Sequence, residues 1–142
     1  MNEVQILLVE DNEGDIILTK EAFKEGKLTN IVNVVRDGEE AILYLKKEGI
    51  YNKQMRPDII LMDINLPKLD GKATLEYIKN HEEFRTIPVV MLTTSSSEKD
   101  IRDSYNKCAN CYITKPVDFG KFIGVIQSIE NFWLTVVKLP QH

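Results

Sequence analysis

Short aliphatic runs alternate along this chain with longer stretches of helical spacing. Residues 4–9, 31–35, 59–62, 89–92 and 111–114 are almost continuously apolar, the pattern of parallel strands covered on both faces. After the first run, Leu18 and Ala22 lie one turn apart beside Ile17 and Phe23 and predict a helix over about residues 14–26. Glu13 and Asp15 sit favourably at its positive end. A second helix after Asp37-Gly38 turns Ala41, Ile42 and Leu45 to one side, and a third after Asp70-Gly71 does so with Leu75 and Ile78. A fourth, over about residues 97–106, is mostly polar and holds only Ile101 and Tyr105. The last is the most regular. Beyond Pro116, which suits a helix start, Phe119, Phe122, Ile123, Ile126, Ile129 and Trp133 recur at three- and four-residue steps and predict a core-facing stripe.

Five strands in strict alternation with five helices predict an α/β fold, an open parallel sheet with helices on both faces. Such sheets bind ligands in the crevice beyond the carboxyl ends of their strands. Here those ends hold Glu10, Asp11 and Asn12 after the first strand and Asp63 after the third. Thr93 and Thr94 follow the fourth, Thr114 and Lys115 the fifth, and the second ends in Arg36-Asp37 at the expected sheet edge.

A chain of 142 residues is expected to be one domain, residues 1–142, with enough length to bury a single core. Its net charge of -4, with no basic face, argues against DNA or RNA binding, which needs concentrated positive charge. The N-terminus lacks the basic flank and long apolar stretch of a signal peptide, and no segment has the length to span a bilayer. A cytoplasmic protein is expected. Cys108 and Cys111 form a C-A-N-C pair, but no second cysteine pair accompanies them and the only histidines are His81 and His142. Two small apolar residues beside a core strand are a better account than a redox or zinc site.

Glu10, Asp11 and Asp63 are expected to converge in the crevice. Two carboxylates about 4 Å apart repel by roughly 4 kcal/mol at an effective dielectric of about 20, and a third worsens the site unless a cation lies among them. All-oxygen ligands with few protein contacts favour Mg²⁺, which keeps several waters and commonly also binds phosphate. Asp63 can then attack phosphorus as a carboxylate nucleophile. Phosphoryl transfer asks chiefly for positioning and charge neutralisation: Mg²⁺ would take one phosphoryl oxygen, Lys115 a second, and the Thr93 hydroxyl with a backbone N–H the third. Each residue also has a plainer reading. Glu10-Asp11 could be a helix-capping turn, Asp63 through Gly71 a loop rich in turn-formers, Thr93 a strand-end hydroxyl bonded to backbone, and Lys115 a solvated lysine. Their coincidence on one rim of one sheet favours the site.

The segments I-L-L-V-E-D-N, I-L-M-D-I-N-L-P-K-L-D-G, V-V-M-L-T-T and Y-I-T-K-P resemble the receiver domain of bacterial two-component response regulators. The resemblance covers nearly the whole chain, and the spacings from Asp63 to Thr93 and Lys115 agree with it. It implies a flavodoxin-like sheet with strand order 2-1-3-4-5. It also implies that Asp63 accepts a phosphoryl group from a histidine kinase, with Asp11 and Asp63 as direct Mg²⁺ ligands. Glu10 would act on the metal through water, and Asn65 would supply its backbone carbonyl. Lys115 becomes the phosphate-pairing lysine, Thr93 the switch hydroxyl and Tyr112 the switch aromatic. The acidic pair here is Glu-Asp rather than Asp-Asp, which the family tolerates. When Asp63 carries phosphate, Thr93 is drawn toward it and Tyr112 turns inward, biasing a two-state surface of the fourth helix, fifth strand and fifth helix.

Two stretches exceed a minimal receiver. Residues 46–57 (KKEGIYNKQMRP) form a longer, polar connection. The last helix, expected over about residues 117–137, would reach about 31 Å, well past strands of about 17–20 Å. Phe132, Trp133, Leu134, Val136 and Val137 would be left partly exposed unless covered. We lean toward a partner or a second copy, a homodimer through this helix, over folding back on the domain's own lower face. Both features, with the ending F-W-L-T-V-V-K-L-P, resemble the small single-domain regulators that pair with phytochrome-type histidine kinases. With nothing following His142, output is expected through protein contact, onward phosphoryl transfer or sequestration of kinase phosphate. Two rivals are weaker. A Mg-dependent aspartate-nucleophile phosphatase would want a D-x-D core, where this chain has Asp63-Ile64-Asn65. An FMN binder would want a Ser/Thr/Gly loop after strand one, where three acids would repel its phosphate.

Overall fold

The aliphatic runs form one parallel sheet: β1 (Val4–Val9), β2 (Asn30–Val35), β3 (Ile59–Met62), β4 (Val89–Thr93) and β5 (Cys111–Thr114), in the order β2-β1-β3-β4-β5. The structure, a computed structural model, describes residues 3–26 and 28–140; His142 lies outside them. In the central pairing Ile6 opposes Ile59 and Val9 opposes Met62, and on the far side Thr93 opposes Thr114. This is the flavodoxin-like order expected.

Helices α1 (Glu13–Lys24), α2 (Gly38–Lys46), α3 (Gly71–Asn80) and α4 (Glu98–Asn106) connect the strands, and α5 (Phe119–Asn131) follows β5. Each begins behind a short polar side chain that accepts a backbone N–H of the first turn: Asn12, Asp37, Asp70, Ser97 and Asp118. Such caps satisfy a donor the helix leaves open, each worth about 1 kcal/mol. Alternation along the strands divides the core in two. Leu7, Val9, Ile60, Met62, Val89 and Met91 pack with Tyr44, Leu45, Leu75 and Ile78 on one face. Ile6, Leu8, Ile59, Leu61, Val90 and Leu92 pack with Ile16, Phe23, Phe122, Ile126 and Ile129 on the other. Truncating such a side chain to alanine costs about 2–5 kcal/mol, so this packing fixes the strand ends that hold the site.

Several expectations are corrected. The last α-helix begins at Phe119 rather than 117, because Asp118 caps it, and it ends at Asn131. Residues Phe132–Val136 continue as a π-helix, with the Val137 N–H donating to the Phe132 carbonyl. The wider turn lets the adjacent Trp133 and Leu134 both pack on the core, which a continued α-helix would separate by about 100°. The overhang therefore folds back in part, while Phe132 and Val136 stay exposed. Phe119 leaves the predicted stripe and is 71% exposed, since it precedes the first full turn against the sheet. Ile17 is likewise exposed, and Ile16 takes the core position on α1. Cys108 is not a core residue: it is exposed, in the left-handed region at φ 71°, while Cys111 is half-buried and packs toward α5. Both thiols are free. The long connection after α2 contains a short 3-10 turn (Gly49–Tyr51), and the Tyr51 hydroxyl donates to Glu40 of α2.

Candidate functional site

Three backbone hydrogen bonds carry the sheet's pattern past the strand ends and so align the site. Glu10 N–H donates to Val35, Asp63 N–H to Val9 at 3.1 Å, and Lys115 N–H to Thr93 at 2.7 Å. Behind Asp63 the chain folds tightly onto α3. Gly71 N–H donates to the Ile64 carbonyl at 2.8 Å, and a Cβ on Gly71 would lie 2.0 Å from the Asp63 carbonyl oxygen. Only glycine permits that approach, so Asp70-Gly71 both caps α3 and seats Asp63.

Lys115 lies amid the acids, with its side chain 3% exposed. Its ammonium donates to Asp63 Oδ2 at 3.0 Å, to Asp15 Oδ2 at 2.9 Å and to Glu10 Oε1. The other Asp63 oxygen, Oδ1, accepts from the backbone N–H groups of Ile64 at 2.7 Å and Asn65 at 3.3 Å. Thr93 is fully buried, and its hydroxyl lies near enough to Asp63 to favour the charged carboxylate.

These contacts set the proton affinities. Burial alone would raise Asp63, but the Thr93 hydroxyl and the Lys115 charge outweigh it and hold the carboxyl below its ordinary value. Burial pushes Glu10 up to about 7; the bond and charge of Lys115 oppose this, and the neighbouring Asp63 charge adds to it. Burial works against the charged form of Lys115, yet its bonds to Glu10 and Asp15 hold its pKa above the ordinary value.

Asp11 stands apart, exposed on the rim, with its N–H donating to Glu10 Oε2 at 3.1 Å. Asn65 is exposed as well. Of the acids expected to converge, the structure brings Glu10 and Asp63 together around Lys115 and leaves Asp11 outside that cluster. Among the described residues no three acids, histidines or cysteines form a ready-made cation cage. The donor chemistry nevertheless fits a hard dication. Glu10, Asp15 and Asp63 share a single ammonium, so three carboxylates face one positive charge, and oxygen donors of this kind suit such a cation.

Tyr112 is half-buried and turned in, with its hydroxyl donating to the Ser95 carbonyl at 2.8 Å. Ser95 N–H reaches the Thr93 hydroxyl at 3.4 Å, and its own hydroxyl donates to Asp100 at the start of α4. Lys72 of α3 binds Asp100 and Asp103, at 2.5 and 2.9 Å. A polar chain thus runs from Thr93, beside Asp63, through Ser95 to the α3–α4 contact.

Asp15 stands in the first turn of α1 as expected, and it has a second role that the sequence did not indicate. It was expected only to favour the positive end of α1, yet it is a direct partner of Lys115. The available signal was its place in the first turn of a helix that starts at the same rim as Glu10.

Residues 6–127 match the response regulator receiver domain family, and the chain belongs to that family. It is 42% identical over 135 residues to response regulator Rcp1 of Synechocystis sp., an alignment covering 95% of this chain and 92% of that protein. Among solved structures it is similar to the phosphorylated cyanobacterial phytochrome response regulator RcpA. That match has a TM-score of 0.96 at 45% identity, over 99% of this chain and 100% of that one. It is also similar to the Mn(2+)-bound form of Rcp1, with a TM-score of 0.93 at 41% identity, over 97% and 99% of the two chains.

Proposed function

We propose that this receiver takes a phosphoryl group on Asp63 from a histidine kinase in the presence of Mg²⁺ and reports it through the face made by α4, β5 and α5. The observation that supports this most directly is the Lys115 ammonium, 3.0 Å from an Asp63 oxygen that also shares its site with the Thr93 hydroxyl. A carboxylate oxygen of Asp63 forms the new O–P bond as the P–N bond to the kinase histidine breaks, and the ring nitrogen keeps the electron pair. Lys115 and Thr93 donate to phosphoryl oxygens as charge spreads over them. Glu10, Asp11 and Asp63, with the Asn65 carbonyl, would hold Mg²⁺, whose charge would offset that of the phosphoryl group. A divalent cation is supported by the Mn(2+)-bound form of the similar Rcp1. Dephosphorylation is attack of water on phosphorus: a new O–P bond forms as the Asp63 O–P bond breaks, which returns the Asp63 carboxylate and releases phosphate. The receiver therefore catalyses its own phosphorylation and dephosphorylation without turning over a separate substrate.

The similarity to a phytochrome response regulator favours a phytochrome-type sensor kinase as donor. Ile17 on α1, Val117 between β5 and α5, and Phe119 at the start of α5 are exposed apolar residues on the segments that flank the site, and they suit contact with that kinase. The α5 end supports self-association as a homodimer. The net charge of -4 disfavours nucleic acid as a partner, and among the described residues no helix is long and apolar enough to cross a membrane; the role proposed is cytoplasmic. A phosphatase role is disfavoured, because Asn65 stands where a proton-donating acid would be needed.

Incubation with acetyl phosphate and Mg²⁺ followed by intact mass measurement tests the reading. The wild type is expected to gain one phosphoryl group and Asp63→Asn none. No gain in the wild type, or equal gain in the variant, would overturn it.

A further inference from the structure

A lysine ammonium has three N–H donors, and in this protein a carboxylate meets each of them. Glu10 Oε1, Asp63 Oδ2 at 3.0 Å and Asp15 Oδ2 at 2.9 Å surround Lys115. Under the function proposed above, on which this inference rests, two of those partners have other duties. Asp63 becomes an acyl phosphate, whose charge sits on the phosphoryl oxygens rather than the carboxylate, and Glu10 is drawn to the metal. Asp15 has no such duty. It sits in the first turn of α1, where its own N–H is held by the Asn12 cap at 2.9 Å and its carbonyl accepts the Thr19 hydroxyl at 2.6 Å. Its backbone is therefore fixed from both sides, and its side chain reaches inward from a rigid element rather than a loop.

We infer that Asp15 is a positioning residue for phosphoryl transfer: it holds the Lys115 ammonium over the phosphoryl site while the other two carboxylates change partners. The alternative for a long, flexible lysine is to follow Glu10 or to swing toward solvent. Either move withdraws a donor from the phosphoryl oxygen just when charge builds there. The Asp15 side chain is 25% exposed against 3% for Lys115, so of the two it stands nearer solvent, and its removal opens that route.

The test uses the full chain in three forms: wild type, Asp15→Asn and Asp15→Glu. With phosphoramidate and Mg²⁺, Asp15→Asn is expected to slow phosphorylation of Asp63 about tenfold, the scale of a misplaced catalytic contact, and Asp15→Glu to recover part of the rate. A second readout needs no phosphorylation. Acetylation of lysines by an activated ester, followed by peptide mass analysis, is expected to mark Lys115 faster in Asp15→Asn than in wild type. Lys79, bonded to the carbonyls of Arg85 and Ile87 and to Asn110 at the opposite end of the sheet, is expected to be unchanged. Equal rates and equal Lys115 labelling in wild type and Asp15→Asn would overturn the inference, as would a parallel rise at Lys79, the mark of general loosening. If the wild type gains no phosphoryl group, the function proposed for the site fails, and the labelling comparison still decides the role of Asp15.

Discussion

Glu10 shows how closely the site is balanced between a proton and a cation. Its carboxyl titrates at about 4.5 in an unfolded chain and at about 7 in its buried place beside Asp63. Between those values the folded protein holds a proton that the unfolded chain has released. Stability of the metal-free protein is therefore fullest below about pH 4.5 with respect to this group, and it falls as pH rises toward about 7. Under the proposed function Mg²⁺ would compete for the same carboxylate, so saturating metal is expected to flatten the slope. Thermal unfolding from pH 4.5 to 7.5, with and without Mg²⁺, checks this, and a metal-free midpoint that climbs across the range would refute it. Asp63, Thr93 and Lys115 were legible in the sequence because strand ends can be read from aliphatic runs, and the rim follows from parallel topology. The partnership of Asp15 was not. A carboxylate in a first helical turn has an adequate local explanation in the helix dipole, and only the fold shows that Lys115 arrives opposite it.

At the level of elements, α4 is the least anchored helix, with Ser104 its only buried residue and Tyr105 half exposed. Its sparse apolar pattern made that visible beforehand. What holds it is polar: Lys72 of α3 grips Asp100 and Asp103, and Asp100 accepts the hydroxyl of Ser95, whose carbonyl receives the Tyr112 hydroxyl. Lys72→Met is expected to cost only about 1 kcal/mol of global stability, since these pairs are partly exposed. Its local effect should be larger. Hydrogen exchange of α4 amides is expected to quicken several-fold while α5 amides stay within error of wild type, because few apolar contacts remain to close α4. Uniform quickening across both helices would mean that the contact supports the whole fold and not α4 alone. The strands and five helices were legible to within a few residues, yet the π-turn of Phe132–Val136 was not. Three- and four-residue spacing foretells an α-helix for as long as apolar residues continue. Only the position of the core shows that Trp133 and Leu134 must both face it.

For the whole molecule, that turn decides which surface remains for a second copy. Cys111, Ile113, Val125, Ile129, Phe132 and Trp133 line an open apolar groove of about 550 Å³ between the edge strand β5 and α5. Phe132 on its wall is 53% exposed, and Val136, four residues further on, is 61% exposed. A groove and its neighbouring projections on one face can meet themselves across a two-fold axis, the arrangement of most homodimers. Trp133→Ala is a poor probe of that contact, because Trp133 also packs on the core and its loss would weaken the fold. Phe132→Glu is the better one: it places a charge at the exposed position and is expected to change stability by about 0.5 kcal/mol or less. Light scattering behind a sizing column should find a concentration-dependent dimer for wild type and a monomer for Phe132→Glu, with matching thermal midpoints at low concentration. A wild type that stays monomeric at high concentration, or a variant that dimerises equally well, would leave the groove without a second copy as its occupant.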